Sequence, residues 1–265
     1  MIKPLCFALL SVAAFPCLAQ ASVDEDFSPP GPPRWSIGAA AIVQNNGYAG
    51  EGTNVQPIPL VTFEGERFYF RGITAGWRAL ASDAFELDVI GKFRFDGFAV
   101  DDLGRKELAS NGVDITLLED RDSAIDLGVA MKWSGEFGQI DLELLADATD
   151  TSGGQEATLK YGYPFQVGKG TLTTNIGATW RSKDNANYYY GTLDSEIARG
   201  VVSYKPGAVT MGQVGVDYFR PIGEKWALLA FATYSALPDE IKNSPLVEAD
   251  TDSTMQVFVG FTRGF

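Results

Sequence analysis

Residues 122–133 read Asp122-Ser123-Ala124-Ile125-Asp126-Leu127-Gly128-Val129-Ala130-Met131-Lys132-Trp133. Side chains of an extended strand alternate between two faces. Ile125, Leu127, Val129, Met131 and Trp133 therefore share one face, while Ala124, Asp126, Gly128, Ala130 and Lys132 share the other. After a short turn near Gly135 and Gly138, residues 139–149 repeat the pattern, with Ile140, Leu142, Leu144, Ala146 and Ala148 against Asp141, Glu143 and Asp147. Residues 85–96 do the same, with Phe85, Leu87, Val89, Phe93 and Phe95 set against Glu86, Asp88, Lys92, Arg94 and Asp96. A charged face this regular has to meet water or matched charges.

Further strands of this kind are expected from Trp35 onward and at residues 56–64, 66–80, 156–165, 171–181, 211–220, 226–237 and 255–265. Aromatic residues recur near their ends, as they do in the girdles of transmembrane barrels. A soluble sandwich also alternates, but it does not need a large apolar face on every strand. The expected fold is all-β, an antiparallel transmembrane β-barrel over residues 35–265. Long connections at 45–55, 98–121, 182–208 and 238–253 fall at one end, and short turns at the other, which matches long outer loops and short periplasmic turns.

The strand count is the open question, since eleven strands are legible and a barrel with both ends in the periplasm needs an even number. The apolar phase of residues 66–80 slips at Gly72, where Phe68 and Phe70 give way to Ile73, Ala75 and Trp77. With Gly72 as a bulge the count is ten. With a further strand near residues 113–118 it is twelve, the count adopted here.

Met1 to Ala21 has one basic residue, Lys3, then an apolar run and a small-residue site at Ala19-Gln20-Ala21, the layout of a cleaved signal peptide over residues 1–21. A lipoprotein signal at Cys17 competes, but Ala14, Phe15 and Pro16 are a poor match to its small-residue box. Cys6 and Cys17 both lie in this segment, so the exported chain has no cysteine for a disulfide. Residues 22–34 are acidic and then proline-rich, an extended periplasmic lead-in able to span roughly 40 Å. No histidine occurs in the 265 residues, which removes the commonest general base and transition-metal ligand. Without Lys3, 20 basic residues face 34 acidic ones, a charge of −14 that disfavours nucleic acid. No later stretch approaches the roughly 18 apolar residues of a membrane helix.

The chain ends on a strand whose Val257, Val259, Phe261 and Phe265 share one face. A terminal Phe in this setting resembles the signal by which the barrel-assembly machinery recognises outer-membrane proteins, although Arg263 departs from the usual apolar residue. Two loop regions stand outside the alternation: Asn187-Tyr188-Tyr189-Tyr190-Gly191 followed by Tyr204-Lys205-Pro206-Gly207, and Leu237-Pro238-Asp239 followed by Ser244-Pro245-Leu246-Val247. Loop tyrosines suit sugar or protein contacts; the same residues also suit a loop folded over the barrel mouth. Together with Trp226, Pro57-Ile58-Pro59-Leu60-Val61 and Arg67-Phe68, these segments resemble the MipA/OmpV family of outer-membrane proteins over most of residues 35–265.

The resemblance implies a non-enzymatic barrel in the Gram-negative outer membrane, surrounded by its lipid, with no cofactor, metal or catalytic set. MipA-type members are scaffolds that bring a lytic transglycosylase together with a murein synthase, and OmpV-type members are linked to adhesion and drug passage. A small-solute or drug-permeable channel and a surface adhesin acting through its loops are the alternatives. Acid pairs such as Glu86 with Asp88 and Asp141 with Glu143 lie on one side of a strand. Lys92, Arg94, Lys132, Lys160 and Arg181 are available to match them as lumenal charges.

Overall fold

A computed structural model describes residues 33–265. The signal peptide and nearly all of the 22–34 lead-in lie outside the described residues. Twelve antiparallel strands close into one barrel, each paired with its neighbours in sequence and β1 with β12. They are β1 (Trp35–Asn45), β2 (Asn54–Glu64), β3 (Phe68–Arg71), β4 (Thr74–Ala81), β5 (Phe85–Arg94), β6 (Ala124–Gly135), β7 (Gly138–Asp147), β8 (Gln155–Val167), β9 (Gly170–Arg181), β10 (Val209–Ile222), β11 (Trp226–Ala236) and β12 (Ser253–Gly264). Closure leaves no free edge, and Phe265 N donates to Trp35 O at 2.9 Å where the two ends of the barrel sheet meet.

The count of twelve is met in a way the periodicity did not foresee. Gly72 has φ of +63° and with Ile73 makes a two-residue turn between Arg71 and Thr74. A glycine with positive φ at the first turn position suits a tight hairpin, so residues 66–80 divide into β3 and β4. Residues 113–118 are not a strand: Ile115–Leu117 is a 3-10 turn, and Val113, Ile115 and Leu118 are buried in the loop region.

The outer face is apolar between two aromatic belts. Leu127, Leu144, Leu159, Ile176, Val214 and Val259 are exposed along its middle. Trp133, Phe137, Phe165, Trp226 and Phe265 mark the turn end, and Phe93, Trp180 and Tyr234 the loop end. The interior has two unlike halves. Beneath β1, β2, β11 and β12, Ile42, Ile58, Leu60 and Phe258 form an apolar wall, with Phe231 and Phe258 stacked at 4.9 Å. The inward faces of β3 to β9 carry most of the ion pairs.

Candidate functional site: a capped lumen

The long loops do not hang free. They carry α1 (Arg105–Ser110), α2 (Lys183–Tyr190), α3 (Asp194–Ala198) and α4 (Asp239–Lys242), and pack into a cap with its own apolar core. Tyr48, Phe98, Leu108, Tyr189, Ile241 and Leu246 belong to this core, and Leu108, Tyr189, Ile241 and Leu246 are fully buried. The cap is pinned by Arg121 and Glu196, which have no exposed side-chain surface and pair at 2.8 Å. Arg121 also donates to Tyr188 O, Glu119 O and Gly191 O, while Glu196 accepts from the backbone of Glu119 and Leu193. The charges of this pair are thus met inside the cap, the condition for burying an ion pair. The pair joins residues 75 apart in two aperiodic loops, so no sequence period announces it.

The loop residues that carry part of the family resemblance are the framework of this cap, whereas residues 57–61, Phe68 and Trp226 lie on barrel strands. Asn187 Oδ1 accepts from Gly207 N at 2.9 Å, and a side chain at Gly191 would collide with the carbonyls of Asn187 and Tyr204. Tyr188 OH accepts from Asp122 N, Tyr189 O accepts from Tyr48 OH, and Tyr190 O accepts from Ser244 Oγ. Tyr204 OH donates to Glu240 O, Pro245 O accepts from Asn111 Nδ2, and Pro206 is half-buried. Burial holds the Tyr48 and Tyr190 phenols protonated by raising their pKa values. These tyrosines pack and bridge loops; they are not displayed as an outer contact surface.

Beneath the cap lies a lumenal cavity of about 320 Å³, roofed by Tyr48, Tyr190 and Leu237. Under the roof Arg94 pairs with Asp96, Asp126 and Glu156, and Arg181 with Asp96 and Glu156, all at 2.7 to 3.3 Å. The acid pairs are partnered as well. Glu86 meets Arg78 at 3.2 Å, Asp88 accepts from Tyr69 OH at 2.7 Å, Asp141 accepts from Gln139 at 2.6 Å, and Glu143 meets Lys92 at 2.6 Å. The Tyr69 ring reaches Asp88 across Gly76, where a Cβ would lie 2.1 Å from the ring. Along β8 the inward residues run from buried Glu156 through half-buried Thr158 and Lys160 and buried Gly162 to exposed Pro164 and Gln166 at the turn end. Among the described residues no group of three His, Cys, Asp or Glu side chains is placed to hold a metal.

On β12 Val259, Phe261 and Phe265 point outward, with Phe265 at the turn-end rim. Arg263, the departure from an all-apolar terminal pattern, shares that side: its guanidinium lies 5.2 Å from the Phe265 ring and 6.0 Å from that of Trp226. A long side chain among interfacial rings can keep its charge in the headgroup layer.

A closed barrel with an apolar belt, a polar lumen and aromatic girdles defines an outer-membrane β-barrel protein. The family described as MltA-interacting protein MipA matches residues 37–265, and the chain belongs to it. It is 30% identical over 250 residues to YiaT of Escherichia coli (strain K12), a protein named for the outer membrane, covering 93% of this chain and 94% of that one. It is 27% identical over 233 residues to the MltA-interacting protein of the same strain, covering 88% and 90%. Among solved structures the NanC porin aligns at a TM-score of 0.45 and 8% identity, over 86% of this chain and all of that one.

Proposed function

We propose that this barrel is a non-catalytic docking protein that holds murein-processing enzymes at the periplasmic side of the outer membrane. The observation that carries the reading is the asymmetry of the two ends. The loop end is covered by a cap with a buried core, whereas inward residues of β8 become exposed toward the turn end. Short turns face the periplasm in barrels of this kind, so the uncapped end is the one murein enzymes reach. The name of the 27% identical relative, MltA-interacting protein, points the same way. Adhesion through the tyrosine-rich loop is disfavoured because Tyr189 and Tyr190 lie inside the cap.

Crosslinked envelopes provide the test. A lytic transglycosylase and a murein synthase should co-purify with the tagged chain and be lost when residues 22–32 are deleted or when the turns at 136–137 and 223–225 are recast. Recovery of neither enzyme from the wild-type chain, with the barrel correctly assembled, would sink the docking reading.

A further inference from the structure

We propose that the lumen is a binding site for a small, neutral, hydroxyl-rich molecule, a mono- or disaccharide, that enters from the turn end. The cavity of about 320 Å³ is within the usual size range of small-molecule sites. Its lining mixes ionisable side chains with hydroxyl and amide groups, among the latter Gln44, Thr158, Asn175, Thr179, Gln213 and Thr233. The charges around it are largely matched within the wall: Arg181 with Asp96 and Glu156, Lys92 with Glu143, and Glu86 with Arg78. A ligand with net charge would meet this compensated wall at a desolvation cost.

The cavity face offers the hydroxyls of Thr158 and Thr179, 3.0 Å apart, and the amides of Asn175 and Gln213, groups that both donate and accept. Neighbouring hydroxyls of a sugar match such mixed groups, where an ammonium only donates and a carboxylate only accepts. The ring of Phe231 on the apolar wall offers a flat surface for the C–H face of a pyranose. Sugar binding in the lumen needs no murein partner, and either property can fail without the other.

Calorimetry on the full chain in detergent micelles tests this with glucose, N-acetylglucosamine and maltose. Alanyl-alanine, putrescine and gluconate represent zwitterionic, cationic and anionic ligands of similar size. Saturable binding of at least one neutral sugar is expected, weakened about tenfold in Gln213→Leu and in Thr179→Val. Neither change removes a member of an ion pair, and heat-modifiable migration in gels confirms that each variant is folded. Binding of a charged ligand in preference to every sugar would overturn the ligand class. No binding of any of the six, or sugar binding unchanged in both variants, would overturn the site.

Discussion

Glu51 shows how one residue of the cap couples to pH. One of its oxygens accepts from Asn46 Nδ2 at 2.9 Å, and the other is buried without a protein partner. Burial raises its pKa above the ordinary 4.5; the Asn46 hydrogen bond opposes this only in part, and the nearby Asp102 adds to the rise. A carboxyl with a raised folded value holds its proton longer in the folded state than in the unfolded one. Its contribution to stability is therefore complete in acid below 4.5 and declines as pH climbs to the folded value. Glu51→Gln keeps the neutral form at every pH. Amide exchange across residues 46–53 should be slower in this variant than in the wild type near neutrality, and the two should converge in acid. A difference that does not vary with pH would remove Glu51 as the titrating group.

At the scale of strands, Phe265 closes β12 against Trp35, and its side chain remains 64% exposed on the lipid side. So little packing is lost on its removal that Phe265→Ala should leave the finished barrel nearly as stable. If the terminal Phe is what the assembly machinery grips, the same change should still lower the amount assembled in the outer membrane. Equal yields with equal heat-modifiable mobility would count against that role. The long strands were legible because one face meets lipid and the other meets charge or water, so the period of 2 is written in the residues themselves. The pair β3 and β4 was harder to see, because four residues are too few to establish a period; the apolar phase slips at Gly72, and its positive φ makes that slip a turn and not a bulge. The cap was legible only as motifs. Arg121, Glu196 and Leu108 lie in loops without period, and what assigns them to a core is tertiary contact between segments far apart in sequence.

For the whole molecule, the question is whether the lumen passes through the membrane or ends beneath the cap. The barrel wall is a complete ring of ladder hydrogen bonds, while the cap depends on a few buried contacts between loops, so the two should yield separately. Glu196→Ala removes the partner of a fully buried Arg121 and two acceptors used by backbone amides, a loss on the order of 3–5 kcal/mol confined to the cap. The wild-type chain in planar bilayers should sit at a closed baseline, and Glu196→Ala should show conductance steps while its barrel still migrates as a folded species. Replacing both Arg121 and Glu196 with Met should restore much of the seal, since an apolar pair of similar volume leaves no charge unmatched. Steady conductance of the wild-type chain, unchanged by Glu196→Ala, would mean that the cap does not close the lumen and would favour solute passage over docking.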